Sequence, residues 1–247
     1  AAVATTQRAV DLAASHGVSD GGARTLLMQY ERSRAAAAAE AALHAADRRL
    51  LLDLEEARLR AVDHYGVAET DATFVAAVAR RWPDMEVDTE RLRASPDALL
   101  FAAAFDTWAL LRHRVQKILD VDWHKVDTLA RTIHPASDAL RDAMLARDIE
   151  GIESHPKIDE VPVPILLNLC DVLLEARRDE RAILLLRAAH RRHPDDFLVN
   201  CRLGDAAGRI GQVELALQHS RAALALRPDS IEARHNLGIA LAANGDH

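Results

Sequence analysis

The chain has 247 residues, of which 49% are hydrophobic and only 4% aromatic, so its core must consist mainly of Ala and Leu. These two residues stand near the top of the helix-propensity scale, which favours an all-α protein. The formal net charge is -7 and basic residues alternate with acidic ones, which counts against nucleic acid as the main partner. The longest wholly apolar run covers only residues 98–105. Because a membrane span needs about 20 residues, the sequence predicts none, and no signal peptide is recognisable.

A long helix is predicted in the N-terminal region. Residues 24–64 contain neither Gly nor Pro and could form a helix about 60 Å long. Residues 3–15 predict a shorter helix, with breaks at His16-Gly17 and Gly21-Gly22. We therefore predict a helical hairpin or coiled-coil-like connector over residues 1–64. Two interpretations stay open, a helix packed on its own neighbours and a self-association element that makes a homo-oligomer. One face has apolar residues at helical spacing: Leu43, Ala46, Leu50, Leu54, Ala57 and Ala61.

Residues 65–160 predict an irregular helical region. Ser95-Pro96-Asp97 is a typical helix start, with Ser as the cap and Pro in the first turn. Pro83 and His134-Pro135 predict helix ends. The predicted helices cover residues 74–82, 87–92, 123–133, 137–147 and 149–155. A further helix is predicted from residue 97 through Leu111.

Residues 163–247 contain an internal repeat of 34 residues. Gly and Pro mark the turns, since Gly accepts a left-handed conformation after one helix and Pro ends the next. Small residues in the same register predict close contacts between helices, and Asp195-Asp196 and Asp229-Ser230 are candidate helix caps. The register relates Leu169 to Leu203 and Leu237, Gly204 to Gly238, Gly211 to Gly245, Ala182 to Ala216, Ala189 to Ala223, and Pro194 to Pro228.

Residues 197–230 resemble a nearly complete tetratricopeptide repeat, "FLVNCRLGDAAGRIGQVELALQHSRAALALRPDS". Residues 163–196 are similar but less regular, because Arg177 and Arg178 replace the usual Gly-Asp turn. Residues 231–247 match a first helix alone. The resemblance implies an α-solenoid of helix-turn-helix repeats, each with a helix A and a helix B. Both ends of the chain lack the features of a natural terminus, and we expect it to be part of a longer polypeptide.

In tetratricopeptide proteins the A helices line a groove that holds a protein or peptide segment. The resemblance therefore implies that such a partner binds here. The carboxylate-clamp pattern of chaperone-tail receptors is absent, because Leu167, Cys201, Asp171 and Asp205 replace its Lys and Asn residues. The implied groove residues are Asn168, Asp171, Arg202, Asp205, Arg209, His235 and Asn236, with Leu167, Glu175, Cys201 and Ile239 beside them.

A wider stretch, from Leu52 onwards, resembles the region that follows the kinase domain in certain bacterial serine/threonine protein kinases. The resemblance is carried by "LDLEEARLR" (52–60), by residues 71–114 and by "ALRDAMLARDIEGI" (139–152). No kinase motif occurs in the chain itself. The resemblance implies a non-catalytic arm that recruits partners to a larger protein.

Candidate sites for chemistry are weak in this sequence. His190 and His193 lie three residues apart on a predicted helix, but no motif supplies a third metal ligand, and a cationic helix end explains them. Acidic residues near Trp123 (Asp120, Asp122 and Asp127) and His124 fit a solvated helix start, with Asp122 as its cap and Trp123 in the core. Cys170 and Cys201 predict small buried residues in a reducing compartment such as the cytoplasm. We therefore predict a protein-interaction scaffold with no catalytic residue, metal or cofactor.

Overall fold

The structure is a computed structural model that describes residues 11–12, 15–16, 20–62, 66–119 and 121–245. The described part of the chain is all-helical and contains no strand, as the composition predicted. No helix within it is long and apolar enough to cross a membrane. The helices are α1 (Asp20–Val62), α2 (Val67–Arg81), α3 (Thr89–Ala94), α4 (Ala98–Leu119), α5 (His124–Ile133), α6 (Asp138–Ala146), α7 (Ile149–Glu153), α8 (Val163–Glu175), α9 (Asp179–Arg192), α10 (Phe197–Arg209), α11 (Val213–Leu226) and α12 (Ile231–Asn244).

The chain divides into two compact units, residues 1–49 and 50–247. In the first unit, α1 begins at Asp20, so the prediction that Gly21-Gly22 breaks the helix is wrong. Both glycines lie in the first turn, where the backbone N–H groups have no helical partner and the cost of Gly is least. Met28 and Tyr30 are 52% and 62% exposed. The first arm of the predicted hairpin, residues 3–15, lies almost wholly outside the described residues.

The second unit begins with the last turns of α1, where Leu50, Leu54 and Ala57 are buried. They belong to a hydrophobic cluster with α2, α4 and α5. The centre of this cluster is Trp108 of α4, which stacks on Phe74 of α2 with ring centroids 5.5 Å apart. Burying an indole requires a partner for its N–H group.

Asp71 of α2 supplies that partner. Its Oδ1 accepts a hydrogen bond from Trp108 Nε1 at 2.6 Å. The same carboxylate accepts from Arg112 Nε at 2.6 Å, and the Arg112 guanidinium lies 4.4 Å from the centre of the Trp108 ring. The four side chains therefore fasten α2 to α4. Trp123, which we expected in the core, is only partly buried.

Helices α8 to α12 follow the 34-residue register of the sequence. Helices begin at Val163, Phe197 and Ile231, and between them at Asp179 and Val213. The predicted caps at two of these starts are confirmed, because Asp196 Oδ1 accepts from Val199 N at 3.0 Å and Ser230 Oγ accepts from Ala233 N at 3.1 Å. A second hydrophobic cluster joins α8, α9 and α10 with residues of α4, α6 and α7.

Turns after α8, α10 and α12 need a left-handed residue at the same register position. Gly211 and Gly245 adopt φ of 74° and 83° there. Arg177 takes the same position with φ of 61°, although a left-handed conformation costs a residue with a Cβ about 1–2 kcal/mol. The bond from Arg178 N to Leu173 O matches the one from Gln212 N to Ala207 O, both 2.9 Å. The Gly-to-Arg replacement therefore leaves the turn intact.

A close helix contact in the repeats is at Gly204, where α10 meets α11. A Cβ at this position would lie 2.5 Å from Ser220 Oγ and 3.2 Å from Ser220 N. Gly238, the equivalent residue of α12, has nothing within 4 Å of a Cβ. The two glycines therefore differ in packing but share a register position.

This difference gives a matched test of the register. Gly204→Leu should lower the free energy of unfolding by about 1–3 kcal/mol, because it overpacks the contact with Ser220. Gly238→Leu should be neutral or slightly stabilising, since Leu is the better helix former. Urea unfolding followed by circular dichroism measures both. Equal effects of the two substitutions would contradict the assigned contact.

Candidate functional site

The charged residues predicted to face a partner bind each other. Arg202 of α10 makes a bidentate pair with Asp171 of α8, in which Nη2 donates to Oδ2 at 2.9 Å and Nε to Oδ1. The side chains are only 17% and 25% exposed. The carboxylate raises the pKa of Arg202 and keeps it charged, against the effect of burial. This pair links the first helices of two successive repeats.

Arg209, at the end of α10, is held in a similar way. Its Nε lies 2.8 Å from Asp179 Oδ1 of α9, and its Nη1 lies 3.6 Å from Asp205 Oδ2. Its Nη2 donates to the carbonyl oxygen of Leu174 at 2.8 Å, which satisfies a carbonyl at the end of α8. Arg209 therefore joins α8, α9 and α10.

Asn168, the first of the two predicted peptide-binding asparagines, is only 3% exposed. Its Nδ2 donates to Ala103 O of α4 at 3.1 Å, and its Oδ1 lies 2.8 Å from Thr107 Oγ1. Helix α4 thus covers this face of α8. Asn236 of α12 is 6% exposed and lies 3.5 Å from Cys201 O.

Of the predicted groove residues, Asp205, Arg209, Asn236 and Ile239 line an open pocket between α10 and α12, whereas His235 does not line it. The pocket has a volume of about 100 Å³. His235 is exposed and Ile239 is 48% exposed, so both are accessible from solvent. The structure brings Asp205, Arg209 and Asn236 together here, whereas Asn168, Asp171 and Arg202 lie at a separate crevice of about 20 Å³ beside Arg58. We name the former the α10–α12 pocket; its lining residues are Gly204, Asp205, Gly208, Arg209, Asn236 and Ile239.

A larger cleft, of about 580 Å³, was not predicted. It lies where the last turns of α1 meet the starts of α4, α8 and α10 and the end of α9. We name it the Arg58 cleft. No sequence motif indicates it, because its walls come from chain segments far apart in sequence. Its lining includes Glu55, Arg58, Leu99, Leu167, Arg192 and Leu198.

The candidate sites for chemistry do not converge. Among the residues described, no group of three His, Cys, Asp or Glu side chains could hold a metal ion. Asp127 binds Arg131 at 2.7 Å, and Asp120 lies outside the described residues. Asp122 Oδ1 accepts from His124 N at 2.9 Å, but the N-cap of α5 is Trp123, not Asp122 as predicted. Cys170 and Cys201 are buried and form no disulfide, and burial raises the pKa of the Cys170 thiol.

Comparisons with known proteins identify no relative: no family model, no curated protein and no solved structure matches this chain. The contacts described above therefore carry the assignment of function.

One buried histidine connects the two helices of the second repeat, α10 and α11. His219 of α11 is 4% exposed, and its Nδ1 lies 2.9 Å from Asn200 Oδ1 of α10. The ring of His190 from α9 meets it edge-on, with centroids 4.8 Å apart. Burial lowers the pKa of His219 to about 4, and the neighbouring His190 and Arg187 add to this effect.

This shift predicts a loss of stability in acid. Between the ordinary histidine pKa of about 6.5 and the folded pKa of about 4, the unfolded chain binds a proton that the folded chain does not. The free energy of unfolding should therefore fall as the pH is lowered through this range, by up to about 1.4 kcal/mol per pH unit from this group.

Urea unfolding of His219→Gln between pH 7 and pH 4.5 measures the contribution. The variant should lose less stability than the wild type over this range. The exposed His235→Gln is the control and should follow the wild-type curve. Parallel curves for His219→Gln and the wild type would show that His219 titrates normally in the folded chain.

Proposed function

We propose that this chain is a non-catalytic protein-interaction scaffold of tetratricopeptide type, which binds a partner segment at the α10–α12 pocket. The pocket itself is the observation that carries the proposal. It combines an exposed apolar side chain, Ile239, with charges of both signs, Asp205 and Arg209. An apolar contact surrounded by polar groups is the usual arrangement of a protein–protein interface.

Because α4 packs on α8, the proposed partner-binding surface does not include this face of α8. Asn168 bonds to Ala103 of α4, and Asp171 is engaged by Arg202. These residues hold the helices in place, which supports confining the partner to α10 and α12. The affinity for one short segment should be modest, about micromolar, which corresponds to roughly 8 kcal/mol.

The chain's place in a larger protein is part of the same proposal. By the resemblance of residues 52–60, 71–114 and 139–152, the module is the arm of a bacterial serine/threonine kinase and acts in the cytoplasm. The partner would then be a protein that the kinase recruits. Self-association through α1 is the competing proposal, and the exposure of Met28 and Tyr30 favours it.

Capture from a lysate of the source organism tests the proposal. Three proteins are immobilised: the wild type, Ile239→Glu and the matched control Leu184→Glu. Leu184 of α9 is a suitable control because it is a 59% exposed apolar residue outside the pocket. We expect Ile239→Glu to lose specific partners that the wild type and Leu184→Glu retain. Identical partners for all three proteins would contradict the pocket assignment. A dimer in sedimentation that Met28→Glu plus Tyr30→Glu dissociates, without partner loss, would instead favour self-association.

A further inference from the structure

The Arg58 cleft is separate from the α10–α12 pocket and shares no lining residue with it. Its volume of about 580 Å³ lies within the range of about 300–1,000 Å³ that ligand sites occupy. Its lining is mostly apolar: Leu167 and Leu198 are buried in the walls, while Leu99 and Leu100, in the first turn of α4, are partly exposed. The cleft can therefore take up an aliphatic group.

Carboxylates in the cleft already have partners. Glu55 Oε1 accepts from Arg58 Nη1 at 2.9 Å, and Asp196 Oδ1 accepts from the backbone N–H of Val199. An incoming cation would have to compete with these contacts.

One cation of the cleft, Arg192, is more available than these carboxylates. Arg58 is buried and already bonded to Glu55, Thr107 and the Pro164 carbonyl, so it belongs to the wall of the cleft. Arg192 is exposed at the mouth beside His193, and no ion pair with another described residue is found for Arg192. The charge that complements this mouth is negative.

We propose that the Arg58 cleft binds a peptide segment in which an aliphatic residue is flanked by carboxylates. The aliphatic side chain lies on Leu99, Leu100 and Leu198, and a neighbouring carboxylate pairs with Arg192. The mouth is bordered by the exposed residues Pro162, Arg192 and His193, so the rest of the partner chain can leave the cleft. The inference rests on the proposed function as a protein-binding module and adds a second site with a defined chemistry.

Fluorescence anisotropy on the full chain tests the cleft with a fluorescein-labelled hexapeptide, DDLLDD. KKLLKK reverses its charge and DDSSDD removes its apolar centre. We expect DDLLDD to bind about tenfold or more tightly than either control peptide, a difference of about 1.4 kcal/mol.

Two substitutions assign the site. Arg192→Glu and Leu100→Glu should each weaken DDLLDD binding about tenfold or more. Arg191→Glu is the matched control, since Arg191 is an exposed neighbour outside the cleft, and it should change binding less than about twofold. Equal losses for Arg191→Glu and Arg192→Glu would show only general attraction of the acidic peptide and would overturn the proposal.

The outcomes separate this proposal from the proposed function. Ile239→Glu should leave DDLLDD binding unchanged; a loss would place the peptide at the α10–α12 pocket and overturn the cleft assignment. If DDLLDD does not bind while Ile239→Glu still loses its partners, the proposal for the Arg58 cleft is overturned and the proposal for the α10–α12 pocket stands. Displacement of the peptide by dodecanoate at a lower concentration than by unlabelled DDLLDD would also overturn it, in favour of a fatty-acid site.

Discussion

The bidentate pair between Arg202 and Asp171 is the contact on which the arrangement of the C-terminal helices depends. It connects α8 to α10, the first helices of successive repeats, through two charge-assisted hydrogen bonds. Partial burial of both side chains protects the pair from solvent screening. Because Arg202 and Asp171 are bound to each other, a partner must find its contacts on other residues.

Arg209 makes further contacts between the helices of the two repeats. By contacting Asp179 and the Leu174 carbonyl, it connects the end of α10 to the last turn of α8 and the start of α9. Asn168 and Thr107, at the crevice beside Arg58, attach α8 to α4. The α10–α12 pocket and the Arg58 cleft are open to solvent, and the two proposed binding sites lie there.

Local signals in the sequence predicted some of the helix ends, but not the start of α2 at Val67 or the continuation of α4 to Leu119. Pro194 and Gly211 predicted helix ends, and Gly204 predicted a tight contact, because each of these residue types has a strong backbone or steric consequence by itself. Gly21-Gly22 misled the prediction because a helix tolerates Gly in its first turn. The prediction that Trp123 lies in the core was also wrong. Trp108 lies there instead, because Asp71 binds its indole N–H and Phe74 stacks on its ring. A single sequence does not show which tryptophan has such partners.

The candidate site was less predictable, because it depends on contacts between distant segments. The repeat register placed Asn168, Asp171 and Arg202 on A helices, but it could not show that α4 covers Asn168 or that the two charges meet. Arg58 carries no sequence signal of burial, yet it is buried against Thr107 and Pro164.

A double-mutant cycle on Asp171→Ala and Arg202→Ala tests the central claim that this pair holds the repeats together. Urea unfolding gives the free energy of unfolding for the wild type, both single variants and the double variant. The account predicts a coupling energy of about 1 kcal/mol or more, since residues of one hydrogen-bonded ion pair typically couple by 0.5–3 kcal/mol. Additive effects, with a coupling energy near zero, would contradict it.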